Sequence, residues 1–192
     1  MNSSKFITQT QHTANLEFLR DEMLEVVNRQ GWLDRLVHNG KIYPANQIGL
    51  TYRPDAELPW RDASGSLFNR DTKEFEGRES DFILWNDVGD YTRIVINELG
   101  ELTGKKFGRI RYMRQDSKCG LSVHADFERR YHIVLETNPY AFFGDATVDG
   151  EVTAKCYHIP ADGHFYHVDT TRQHFVYNGG WTSRIHLVIC EV

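Results

Sequence analysis

His124, Ala125 and Asp126 place an imidazole and a carboxylate two positions apart, with His174 fifty residues further on and Arg184 ten beyond that. Two imidazoles and one carboxylate can occupy three corners of a metal and leave the others open, which is the donor set of non-haem Fe(II) oxygenases. In an extended segment, residues i and i+2 share a face, so His124 and Asp126 are expected to reach one cation from a single strand. A third ligand must then come from a different strand. His174 opens the segment His174-Phe175-Val176-Tyr177-Asn178, which reads as one, and Asn178 shares its parity.

Arg184 lies in Arg184-Ile185-His186-Leu187-Val188-Ile189, where Ile185, Leu187 and Ile189 take one face and Arg184, His186 and Val188 the other. An arginine on a strand this apolar is costly to bury without an anion. Its planar fork suits a carboxylate held by two parallel hydrogen bonds. A third segment, Arg130-Tyr131-His132-Ile133-Val134-Leu135-Glu136, puts Arg130, His132, Val134 and Glu136 on one side. Three strands thus offer His or Arg on a face that ought to be core.

Taken singly, these residues have ordinary readings. An H-x-D tripeptide arises by chance, His158, His164 and His167 read as surface or hydrogen-bonded strand residues, and Arg129 reads as a solvated charge. The combination carries the metal reading: H-x-D, a distal strand histidine, and an arginine ten residues later. Seven of the nine histidines fall between 124 and 186.

The elements that must position these groups are partly legible. Leu16, Leu19, Met23, Val26 and Val27 recur at helical spacing, with Gly31 as a stop. A second helix begins near Asp87, buries Val88, Tyr91, Val95 and Leu99, and is expected to end at Gly100. Residues 40–80 are turn-rich and read as ordered loop with short strands. From about 107 the period becomes two, giving strands at 107–114, 131–137, 152–159, 163–169, 173–178 and 183–190, with Asn138-Pro139, Asp149-Gly150, Asp162-Gly163 and Gly179-Gly180 at turns. Short strands without crossover helices must pair antiparallel, as in a sandwich, jelly roll or barrel. A single domain over 1–192 is expected, with 1–105 a helical and loop support and 106–192 the core.

Composition adds exclusions. The net charge of −5 over 192 residues, with both signs interspersed, argues against a nucleic-acid grip. No apolar run approaches membrane-spanning length, and Met1-Asn2-Ser3-Ser4-Lys5 has no signal-peptide core. Cys119, Cys156 and Cys190 show no CxxC pairing, so reduced thiols in a cytoplasmic setting are expected.

Residues 107–190 resemble the Fe(II)/2-oxoglutarate-dependent dioxygenases of the aspartyl/asparaginyl β-hydroxylase and cis-proline-hydroxylase type. The matching stretches are Ser122-Val123-His124-Ala125-Asp126, Arg130 to Leu135, and His174 to Asn178 running on to Arg184-Ile185-His186-Leu187-Val188. The resemblance implies a mostly β fold with flanking N-terminal helices, a cupin-like double-stranded β-helix (jelly roll). It implies His124, Asp126 and His174 as iron ligands, and Arg184 as the clamp on the distal carboxylate of 2-oxoglutarate. It further implies that His132 helps hold the cosubstrate's metal-side carboxylate and that Arg130 contacts a carboxylate of the prime substrate. Animal aspartyl β-hydroxylases lack the carboxylate ligand, so Asp126 brings this chain nearer to the proline-hydroxylase branch. The implied activity is hydroxylation of a C–H bond in an amino acid or a peptide or protein residue, with O2 as oxidant.

Two other classes fit parts of the pattern. A non-catalytic cupin-like module would hold a metal or small acid on the same scaffold. A zinc hydrolase would need a general base near the metal water, for which Glu128 and Glu136 are available.

Overall fold

A computed structural model describes residues 5–36, 42–69, 72–149 and 151–192. Gly150, in one of the expected turns, lies outside them. The chain runs β1 (Ile7–Thr13), α1 (Leu16–Gln30), β2 (Leu33–Leu36), β3 (Ile42–Gly49), β4 (Thr51–Tyr52), α2 (Pro59–Asp62), β5 (Phe68–Asn69), β6 (Glu74–Phe75) and β7 (Leu84–Trp85). It continues through α3 (Asp90–Thr103), β8 (Phe107–Gln115), β9 (Cys119–His124), β10 (Arg130–Glu136), β11 (Ala141–Asp149), β12 (Glu151–Tyr157), β13 (His164–Val168), β14 (His174–Asn178) and β15 (Arg184–Glu191).

Two compact units result: Met1–Leu16 with Arg114–Leu187, and Glu17–Met113 with Val188–Val192. In the first unit, one sheet has the order β1-β13-β10-β15 and the other β12-β11-β14-β9. The antiparallel pairs β11 with β12, β10 with β13 and β9 with β14 nest inside one another. They are the rungs of one long antiparallel hairpin rolled into two sheets, which is the jelly-roll winding expected from the absence of crossover helices.

Phe6, Val134, Phe143, Ile159, Tyr166, Val168 and Val176 form the apolar core shared by these two sheets. Each such side chain contributes about 1.5–3 kcal/mol on burial. Ile7 and Val168 pair at the start of the β1–β13 ladder, and Phe6 just before it is buried in this core. The polar repeat of β1, Ile-Thr-Gln-Thr-Gln-His-Thr, hides this strand from a hydrophobic reading.

In the second unit, Leu19, Met23 and Val26 of α1 are buried, as are Thr92, Val95, Ile96 and Leu99 of α3. The Glu22 carboxylate accepts the backbone N–H groups of Tyr91 and Thr92 at 2.9 and 2.7 Å and the Thr92 hydroxyl at 2.6 Å. An anion here satisfies donors that the first helical turn leaves open. A Cβ on Gly89 would sit 1.9 Å from that carboxylate, so the approach requires glycine. α3 runs past Gly100 to Thr103 and ends at Gly104, whose φ of 66° makes the left-handed cap. Gly100 is retained inside the helix where a Cβ would press the Lys105 carbonyl at 3.3 Å.

Candidate metal centre

β14 and β9 pair antiparallel with His174 opposite His124, which brings the two imidazole centroids to 4.3 Å. His124 Nδ1 lies 2.7 Å from the Ser122 carbonyl, and His174 Nδ1 lies 2.9 Å from the Arg172 carbonyl. A carbonyl only accepts, so each Nδ1 donates and the neutral ring keeps its lone pair on Nε2. Those two Nε2 atoms face Asp126, at 3.9 Å from Oδ1 for His124 and 3.6 Å from Oδ2 for His174. One ligand atom from each of the three residues lies within 4.8 Å of the others. A borderline metal ion fits this donor set, since both imidazoles are oriented through their second nitrogen as metal-binding histidines normally are.

β9 ends at His124, and Asp126 lies two residues past it. Its backbone N–H donates to the Thr170 carbonyl at 2.8 Å, while the Thr170 hydroxyl donates to the Glu128 carbonyl at 2.6 Å. Thr170 thus ties the loop that carries the carboxylate to the segment after β13.

His174 is 2 % exposed. Burial draws its pKa below the ordinary histidine value, the charges of His124 and Arg130 act in the same direction, and the Arg172 carbonyl and Asp126 oppose them. The ligand nitrogen is therefore kept unprotonated at neutral pH, the state a metal needs.

Arg130, the first residue of β10, places Nη1 2.9 Å from Asp126 Oδ2. Two residues along the same strand, His132 belongs to a second group. His132 Nδ1 is 3.3 Å from His186 Nδ1, and Arg184 Nη2 is 3.1 Å from that same His186 atom. The Arg184 guanidinium carbon sits over the Phe143 ring at 4.8 Å, and His132 meets the ring edge-on at 5.0 Å. β10 therefore links the two groups across about 7 Å of strand.

Arg184 is buried, and no carboxylate among the described residues pairs with it. Burial draws its pKa down to about 9, leaving it protonated at neutral pH. A buried cation without an internal counter-ion is a standing demand for an anionic ligand.

Other expected residues fall elsewhere. The Asn178 side chain donates to the carbonyls of Gln115, Asp116 and Thr182 and fastens turns rather than a ligand. His158 Nδ1 contacts the Ala141 carbonyl at 3.0 Å, and His167 packs against Tyr131 with the rings tilted by 39° and centroids 4.6 Å apart. Arg129 is half-exposed and pairs with Asp169 at 3.1 Å. Glu136 closes β10, six residues and about 20 Å of strand from Arg130, too far to serve as a base beside Asp126. The spacing gives His186 no role of its own beyond its parity with Arg184, which is the signal that places it beside the guanidinium.

No family model and no curated protein matches the sequence. Two of the solved structures that resemble this chain match nearly all of it. An oxidoreductase of the 2OG-Fe(II) oxygenase family from Burkholderia pseudomallei is 15% identical, the match covering 97% of this chain and 85% of that one at a TM-score of 0.57. EvdMO1 is 12% identical over 97% of this chain and 47% of that one, also at 0.57. The fold is a double-stranded β-helix. At such identities the likeness is one of fold, and the chemistry of this double-stranded β-helix has to be read from its own residues.

Proposed function

We propose that the chain is an Fe(II)- and 2-oxoglutarate-dependent hydroxylase acting on a C–H bond of an amino acid, free or within a peptide or protein. The observation that carries this reading is the convergence of His124 Nε2, His174 Nε2 and the Asp126 carboxylate within 4.8 Å. In the same unit lies a buried guanidinium, Arg184, with no carboxylate counter-ion among the described residues.

His124, Asp126 and His174 would hold the iron and leave further coordination positions open. With 2-oxoglutarate and O2, iron supplies the oxidation of an unactivated C–H bond, as the cosubstrate is converted to succinate and CO2. Arg184 binds the distal carboxylate of the cosubstrate through its fork, and His132 supports the metal-side carboxylate. Arg130, whose Nη1 lies 2.9 Å from Asp126 Oδ2, contacts a carboxylate of the prime substrate beside the metal. Resemblance to the proline-hydroxylase branch supports an amino-acid substrate.

Among the described residues no helix is long and apolar enough to cross a membrane, and all three cysteines are free thiols, which suits a cytoplasmic setting. The test is incubation of purified protein with Fe(II), 2-oxoglutarate and O2 against free amino acids and peptides, with succinate measured. Succinate above the uncatalysed rate, lost in His124→Ala, is the expected result. Its absence across the screen, with metal and cosubstrate bound, would favour a binding module.

A further inference from the structure

His186 stands outside both the metal triad and the carboxylate clamp described above, yet it is 1 % exposed and touches both basic members of the clamp. Its Nδ1 lies 3.1 Å from Arg184 Nη2 and 3.3 Å from His132 Nδ1. A guanidinium nitrogen can only donate a hydrogen bond. His186 Nδ1 is therefore an acceptor, the ring is neutral, and its single proton sits on Nε2. The proton in the contact with His132 must then come from His132 Nδ1. Burial, reinforced by the positive potential of Arg184, His132 and His158, opposes a second proton on His186.

This choice of acceptor has an electrostatic consequence. An aspartate or glutamate at position 186 would also orient the guanidinium, and would cancel its charge. A neutral imidazole orients it and leaves the positive charge for a ligand. The His186 Nε2–H is itself buried and has no protein acceptor among the described residues, so one more donor remains for a ligand oxygen.

We infer that His186 is a positioning residue that locks Arg184 and His132 into one hydrogen-bonded array, keeps that array cationic, and thereby sets the pocket to take a carboxylate-bearing ligand. The inference rests on the assignment of Arg184 as the carboxylate clamp. It does not depend on iron or on turnover.

Glutarate has the two carboxylates of the cosubstrate but no 2-oxo group, so its binding to the metal-free protein, measured by calorimetry, isolates the array. Three variants separate orientation from charge. His186→Asn keeps an acceptor oxygen close to the position of Nδ1, His186→Asp keeps that acceptor but adds a negative charge, and His186→Leu removes the acceptor. The expected result is glutarate affinity within a few-fold of wild type for His186→Asn. A loss of about ten- to a hundredfold is expected for His186→Leu, the scale of one hydrogen bond to a charged group. His186→Asp is expected to lose at least as much although its shape matches that of His186→Asn. A merely structural role would not separate Asn from Asp in this way, and that pair carries the test if His186→Leu fails to fold. Equal binding by the Asn and Asp variants, unchanged binding by a folded His186→Leu, or no glutarate binding by wild type would overturn the inference. If the expected pattern appears while 2-oxoglutarate yields no succinate, the hydroxylase assignment fails and the role of His186 stands.

Discussion

Arg130 Nη1 stands 2.9 Å from Asp126 Oδ2, so the carboxylate of the candidate metal triad is held by a cation that is not a ligand. Both side chains are largely buried, at 13% and 16% exposure, which keeps the pair from being screened as a surface ion pair would be. Two effects oppose each other on metal binding. The guanidinium repels a cation, and it also fixes the carboxylate rotamer that faces His124 and His174. Groups that orient metal ligands typically govern affinity by about 10–100-fold, so orientation is expected to win. Arg130→Met should weaken Mn(II) binding by about tenfold or more, measured calorimetrically, without abolishing it. Unchanged or tighter binding would show that repulsion dominates.

Arg184 makes a contrasting case. Its burial is costly, as the fall of its pKa to about 9 reflects, and no carboxylate among the described residues offsets that cost. Replacing an unpaired buried cation by an apolar side chain of similar length should relieve the strain. Arg184→Met is expected to raise the stability of the ligand-free protein by about 1 kcal/mol or more, which is about 2–4 °C in Tm for a chain of this size. The same variant should lose 2-oxoglutarate binding. A lower Tm in thermal denaturation would mean that the contacts of Arg184 with His186 and the Phe143 ring outweigh the cost of its burial.

The pH dependence of stability follows from His186, whose folded-state pKa is well below the ordinary histidine value because of burial and the charges of Arg184, His132 and His158. Below pH ~6.5 the unfolded chain takes up a proton at this residue and the folded chain does not. Its contribution is therefore complete above that pH and is lost as pH falls, at about 1.4 kcal/mol per unit. Urea denaturation of the metal-free protein between pH 7.5 and 5 should show this decline, and His186→Asn should make it shallower by about that slope. Parallel profiles for the two proteins would refute the assignment.

In the second unit, Arg109 and Glu79 form a buried ion pair with Nε and Oε2 2.6 Å apart. Removing one partner leaves the other charge stranded, at a cost of about 3–5 kcal/mol, whereas removing both can be nearly neutral. Arg109→Met alone is expected to lower stability on that scale, and Arg109→Met with Glu79→Leu to recover most of the loss. Additive losses in denaturant titrations would contradict it.

How much of this was legible in the sequence varies with the physical signal. α1 announces itself through a row of apolar residues at helical spacing, and the buried strands near β10, β13, β14 and β15 through β-rich apolar runs. β9 does not, because Cys119 to Ser122 are exposed along the edge of their sheet and have no buried row to alternate with. β11 contains Gly144, which admits the Phe175 ring where a Cβ would lie 2.0 Å from it, and two aspartates, Asp145 and Asp149, all poor strand formers by type. The spacing of His124 and Asp126 suggests that they meet, whereas the anchoring of Asp126 at Thr170, just past the end of β9, is a contact that only the folded chain reveals. His186 was placed on the correct face, while its function depends on which nitrogen accepts from Arg184, a matter of geometry rather than spacing.

The most direct test of the central assignment is anaerobic titration of the metal-free protein with Fe(II) and then 2-oxoglutarate, in wild type and in a His124→Ala/His174→Ala double variant. Wild type is expected to bind one Fe(II) and then one 2-oxoglutarate per chain, with the double variant losing the metal while remaining folded. Failure of wild type to bind Fe(II), or Fe(II) binding of equal strength in the double variant, would contradict it.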